Sequence, residues 1–104
     1  MNDEPTEINE FGTKFWLNSE GKFHRDNGLS AVICSNGNCV WYQNGKLHRD
    51  NDLPAVIYSN SWCYWWQNGK FIKEKQCTQE KIEQYKKPYY LQKIKFNRFE
   101  NLIK

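Results

Sequence analysis

His24-Arg25-Asp26-Asn27-Gly28-Leu29-Ser30-Ala31-Val32-Ile33 returns 24 positions later as His48-Arg49-Asp50-Asn51-Asp52-Leu53-Pro54-Ala55-Val56-Ile57. The flanks repeat as well: Trp41-Tyr42-Gln43-Asn44-Gly45-Lys46-Leu47 returns as Trp65-Trp66-Gln67-Asn68-Gly69-Lys70-Phe71. A rougher copy, Trp16-Leu17-Asn18-Ser19-Glu20-Gly21-Lys22-Phe23, opens the series one residue out of phase. A fixed period in the twenties marks a small supersecondary unit that buries its surface by stacking on its neighbours. Chains built this way usually bind rather than transform.

Within each copy the turn signals are those of β-hairpins. Asn-Gly supplies two adjacent residues that tolerate the positive φ of a type I′ turn. It occurs at Asn36-Gly37, Asn44-Gly45 and Asn68-Gly69. Read as two-residue loops, the first two predict strands at roughly 31–35, 38–43 and 46–49. Asn60-Ser61 takes the place of Asn36-Gly37 in the next copy, and Ser19-Glu20-Gly21 fits a three-residue loop with Gly at the bulge. Asp50-Asn51-Asp52-Leu53-Pro54 joins the copies as a turn. The prediction is a mainly β fold, an antiparallel meander of hairpin units running continuously through 14–73, with about eight short strands.

Cross-strand partners share a face, and side chains alternate with a period of two. On that register one face collects Trp16, His24, Val32, Trp41, His48, Val56, Trp65 and Ile72. The other collects Leu17, Phe23, Ile33, Val40, Tyr42, Leu47, Ile57, Tyr64, Trp66 and Phe71. The second list is the more apolar and is the expected core. The first, with Trp beside His, is the expected working face, partly open to solvent.

The unit aromatic-aromatic-x-Asn-Gly-Lys-x-His resembles the MORN repeat family. Trp41, Tyr42, Asn44, Gly45, Lys46 and His48 match that frame, as do Trp65, Trp66, Asn68, Gly69 and Lys70. The longer string through Leu-Pro-Ala-Val-Ile resembles divergent MORN-like repeats of phages and large DNA viruses. Arg25 and Arg49 stand where the common unit has Gly, and Ile72 replaces the third His. The resemblance implies a scaffold or interaction surface, sometimes lipid-associated, and rarely catalysis of its own; the chain is accordingly expected not to be an enzyme. It covers about 60 of the 104 residues and none of the C-terminal tail.

Composition agrees with a folded binding module. Aromatic residues make up 16% of the 104-residue chain, too many for a disordered one, while 38% hydrophobic content allows one modest core. Residues 1–75 carry eight Lys and Arg against nine Asp and Glu, whereas 76–104 carry seven against three. The organisation expected is therefore an N-terminal arm at 1–13, a β-repeat region at 14–75 and a basic C-terminal tail at 76–104. In the tail, Thr78 is placed to cap a short helix over Gln79–Lys86 that Pro88 ends. Beyond it, apolar positions 91, 94, 96, 99, 102 and 103 favour a second, amphipathic helix over a strand. No membrane span or export signal is read in the sequence, so the cytoplasm (of a host, or a virion, if viral) is the expected location. Codon usage implied by abundant Asn, Lys, Ile and Tyr hints at an AT-rich genome.

Candidate functional residues follow from this register. His-Arg-Asp opens the protein-kinase catalytic loop, but no Gly-rich loop or Asp-Phe-Gly accompanies it here. Its structural role is expected to be a His packed on the cross-strand Trp, an exposed Arg, and an Asp that opens the turn through backbone amides. Cys34, Cys39, Cys63 and Cys77 lack paired zinc spacing; Cys34 faces Cys39 on this register, either as reduced thiols or as a cross-strand disulfide. No cofactor or metal is implied, and no pair of side chains stands out for acid–base or nucleophilic catalysis. Trp16, His24, Arg25, Trp41, His48, Arg49 and Trp65 form the candidate ligand or partner face. Lys86, Lys87, Lys93, Lys95 and Arg98 are the candidate phosphate contacts. Two functions remain open: a protein-binding or self-associating assembly module, or a nucleotide- or nucleic-acid-binding protein that stacks bases on the Trp/His/Arg face.

Overall fold

A computed structural model describes residues 3–88. The second tail helix and the candidate contacts Lys93, Lys95 and Arg98 lie outside the described residues. The fold is mainly β, an antiparallel meander followed by one short helix. Among the described residues nine strands form: β1 (Glu7–Ile8), β2 (Lys14–Phe15), β3 (Val32–Ile33), β4 (Cys39–Val40), β5 (Tyr42–Gln43), β6 (Lys46–Leu47), β7 (Val56–Ile57), β8 (Trp62–Gln67) and β9 (Lys70–Gln76). Seven make one sheet in the order β1-β2-β3-β4-β7-β8-β9, while β5 and β6 pair only with each other. The meander is thus interrupted: β4 pairs with β7, and the β5–β6 hairpin stands apart between them. Leu17 and Phe23 form the matching bridge in the first unit. The sheet begins at β1, inside the stretch 1–13 that the repeat spacing sets apart as an arm.

The turns explain both what the sequence predicts and where it slips. Asn44 and Gly45 have φ of 52° and 84°, and Asn68 and Gly69 have 49° and 82°, the type I′ pattern expected. At Asn36-Gly37 only Gly37 takes positive φ, at 100°. There Cys34 N–H donates to Asn38 C=O at 2.9 Å and Gly37 N–H to Cys34 C=O at 3.0 Å. The loop is therefore three residues long with a bulge, and Tyr58–Trp62 repeats it with Ser61 at φ 79°. One extra loop residue moves the register by one, and a one-residue slip exchanges faces. Val32 pairs with Val40 and Ile33 with Cys39, so Cys34 does not face Cys39. All four cysteines are free thiols.

The face assignment reverses as a result. Phe15 pairs with Val32, Val32 with Val40, Val40 with Val56, and Val56 with Tyr64. One residue along, the row reads Trp16, Ala31, Trp41, Ala55, Trp65. Trp16 N–H donates to Ala31 C=O at 2.9 Å and Trp41 N–H to Ala55 C=O at 2.7 Å, which fixes that row. Both alanines are fully buried and the three indoles are 7%, 3% and 4% exposed. Large and small side chains thus alternate across five neighbouring segments, at or just beyond the ends of β2, β3, β4 and β7 and within β8, each alanine leaving room for the indoles beside it. The face read as a working surface is the core. The face read as core carries the half-exposed ladder Phe15, Phe23, Tyr42 and, at its far end, Phe71, which is 50% exposed.

The helix α1 (Gln79–Lys86) closes the tryptophan side. Thr78 Oγ1 accepts from Lys81 N–H at 3.2 Å, the N-cap expected from sequence. Ile82 packs with Cys39, Trp41, Ala55, Ile57, Cys63 and Trp65 in one buried cluster. Tyr85 meets Trp65 edge-on, with ring centroids 5.9 Å apart. Burial pushes the Cys63 thiol up to about 12, so this core cysteine stays protonated. No helix among the described residues is long and apolar enough to cross a membrane.

Replacing Ala55 by Leu should destabilise the fold by roughly 1–3 kcal/mol, because the row has no space for three more carbons. Urea unfolding checks this. An Ala55→Leu protein as stable as the parent would mean that the indoles are not packed against Ala55.

Candidate functional site

Each tryptophan of the core row is held in the same way. The Trp16, Trp41 and Trp65 indole N–H groups donate to the carbonyls of Asp3, Gly28 and Asp52 at 3.2, 3.0 and 3.0 Å. Each acceptor lies 13 residues earlier in the chain. Asn27-Gly28 and Asn51-Asp52 reach those positions through tight turns with all four residues at positive φ, between 57° and 70°. A cation then covers the outer face of each indole. The guanidinium carbon of Arg25 stands 3.7 Å from the Trp16 ring centroid, that of Arg49 stands 3.8 Å from Trp41, and Lys73 Nζ stands 4.8 Å from Trp65.

The arginines are therefore not the exposed side chains that the His-Arg-Asp reading predicts. Arg49 is 4% exposed. Its Nη1 donates to Pro54 C=O at 3.1 Å and its Nη2 to Lys87 C=O at 3.0 Å. Arg25 Nη1 donates to Ser30 C=O at 3.1 Å, and Nε and Nη2 both donate to one oxygen of Asp3, at 3.1 and 2.7 Å. Burial works against the Arg49 charge and pulls its pKa below the usual arginine range, down to about 9. Stacking on Trp41 and two carbonyl acceptors favour the charged form.

The histidines latch one unit to the next. Asn44 N–H donates to His24 Nδ1 and Asn68 N–H to His48 Nδ1, both at 3.0 Å. An Nδ1 that accepts leaves the proton on Nε2, which donates to Asp26 or Asp50 at 2.9 or 2.8 Å. The aspartates thus accept from their histidines rather than from the backbone amides expected of them. Gln43 and Gln67 add a second latch, donating to the backbone carbonyls of Arg25 and Arg49 at 2.9 and 2.6 Å. Residue type alone assigns the glutamines and alanines no role. Their recurrence at the repeat period is the signal that marks them.

Between the turns at 26–29 and 50–53 lies an open groove of about 540 Å³. Trp41, His48 and Arg49 line it together with Asp26, Gly28, Asp50 and the leucines Leu29 and Leu53. Three of the seven residues expected to form one face therefore meet here. Trp16 and Arg25 sit under the Asp3 carboxylate, and Trp65 under Lys73 and Asp52. Lys86 lines a separate cavity of about 160 Å³ beside Gly37 and Tyr58, and Lys87 reaches the Arg49 site through its carbonyl. Among the described residues no cluster of His, Cys, Asp and Glu is arranged to hold a metal ion.

His48→Ala should lower stability by about 1 kcal/mol, since one substitution removes both the bond to Asn68 and the one to Asp50. His24→Ala should act alike. Equilibrium unfolding of both variants measures this, and two unchanged midpoints would show that the latch carries no weight.

Comparison with known protein families, with curated proteins and with solved structures finds no match to this chain.

Proposed function

We propose that this chain is a non-enzymatic protein-binding or assembly module, a MORN-like β-repeat sheet that presents the groove between its two inter-unit turns. The observation that carries this reading is the use made of the reactive side chains. Each histidine uses Nδ1 to hold the turn of the next unit and Nε2 to hold its own aspartate, and the indole N–H of each core tryptophan is taken by a backbone carbonyl 13 residues earlier. The groove meets a partner first at its rim, where Asp26, Asn27, Asp50 and Asn51 are exposed.

A nucleotide stacked on the Trp row has less support, because Arg25, Arg49 and Lys73 already cover the indoles. A protein partner is favoured over self-association through the sheet edge. The edge strand β9 carries Lys70, Lys73, Glu74 and Lys75, and charges along an edge oppose strand-to-strand pairing. An intracellular setting suits the four free thiols, and a phage or viral source belongs to the same reading.

Asn27→Arg and Asn51→Arg place bulk and charge on the groove rim without touching the core. Each should remove a co-purifying protein partner, identified by mass spectrometry, while the protein stays folded, its stability lowered only by the roughly 1 kcal/mol that positive φ costs a residue other than Asn, Asp or Gly. Retention of the same partners by both variants would refute the groove as the interaction surface. Micromolar nucleotide binding in calorimetry would favour the other function.

A further inference from the structure

The three units differ in one atom group at an equivalent place. Asp3, Gly28 and Asp52 supply the equivalent carbonyls that hold the three indoles. In the first unit the Asp3 side chain also bonds the cation on the indole, with Arg25 Nε and Nη2 at 3.1 and 2.7 Å. In the third, Asp52 faces Lys73 at 3.9 Å. In the middle unit the residue is Gly28, which has no side chain, and there the groove opens over Arg49. Arg49 Nη2 takes the neutral Lys87 carbonyl instead, and its Nε has no hydrogen-bond partner among the described residues. A side chain at Gly28 would meet nothing within 4 Å, so the missing group has room.

We propose that the groove binds a carboxylate of a protein partner, which takes the place beside Arg49 Nε that Asp3 fills beside Arg25. This deepens the interaction-module reading by naming what the groove takes. A guanidinium held flat on an indole presents Nε–H and one Nη2–H in a fork that matches a carboxylate. The site is 4% exposed at Arg49, where a charge-assisted hydrogen bond is least weakened by water. Asp26 and Asp50 on the same groove set an upper limit on ligand charge. One carboxylate is compensated by Arg49, whereas a phosphate group or a nucleic-acid strand would bring further negative charge against both aspartates. A monoanion is therefore selected.

The test uses the full chain with four probes: acetyl-Ala-Glu-Ala-amide, its Gln counterpart, acetyl-Ala-Ala-Ala with a free C-terminus, and inorganic phosphate. Calorimetry gives affinity, and the Arg49 Nε–H nuclear magnetic resonance signal reports contact at that atom. A carboxylate probe should shift this signal and bind roughly tenfold or more tightly than the Gln peptide. Whichever carboxylate peptide binds tighter tells whether an acidic side chain or a chain terminus is the natural source. Gly28→Asp should supply the carboxylate from within and abolish binding, whereas Gly28→Asn, equal in size and uncharged, should weaken it far less. Asp3→Asn gives the converse without touching the groove: Arg25 Nε–H should gain the same response to the Glu peptide. Equal binding of the Gln peptide, tighter binding of phosphate, or no shift of Arg49 Nε–H would overturn the proposal. So would undiminished affinity in a folded Gly28→Asp protein. If the rim variants lose their partner while no probe binds, only the carboxylate assignment falls. If the probes bind as expected but the rim variants keep their partner, the interaction-surface reading falls instead.

Discussion

The row Trp16, Ala31, Trp41, Ala55, Trp65 is the constraint on which the structure depends. Three indoles share one face of a sheet whose main strands contribute two residues each over most of its width. Such short strands have few ladder bonds, so side-chain burial must hold them together. Complete burial of the two alanines lets the indoles lie in one layer. An indole also carries a polar N–H, and burying it without a partner is costly. The turn carbonyls of Gly28 and Asp52, and that of Asp3 at the N-terminal end, meet that requirement. Packing of the row and geometry of the turns are thus one problem with one solution, repeated three times.

The same arrangement gives the arginines their place. An arginine can lie on an indole face with its aliphatic stem packed and its guanidinium on the ring, but its five donors then need acceptors. Ser30 and Pro54 carbonyls answer for one nitrogen in each unit. The remainder is satisfied by Asp3 in the first unit and in part by Lys87 in the second, which ties the chain after α1 back to the repeat. The third unit has no arginine. Lys73 on the continuous edge strand β9 covers Trp65 there, and the stack ends in a strand that carries charge along its length. Unequal completion of equal units is what leaves one groove open.

Local chemistry was legible from the residues alone. The helix over Gln79–Lys86 with its Thr78 cap, and the type I′ turns at Asn44-Gly45 and Asn68-Gly69, follow from a capping oxygen and from residues that tolerate positive φ. These depend on neighbours within a few positions. The loop at Asn36-Gly37 shows the limit, because an Asn-Gly pair serves a two-residue loop and a three-residue bulged loop equally well. The difference of one residue exchanged Val32 for Ile33 and Val56 for Ile57 beside the tryptophans, and with them the choice of core face.

Sequence by itself therefore determined the repeat, its period, its hairpins, the antiparallel meander and the capped helix, since each rests on short-range backbone preference. Tertiary structure decided which face is buried, because that choice waits on register and on where α1 lands. It also decided that Arg25 and Arg49 are packed rather than exposed, and that His24 and His48 bridge units. The stacking and bridging partners lie 8 to 38 residues apart in the chain, a separation at which no local pattern records who will meet whom.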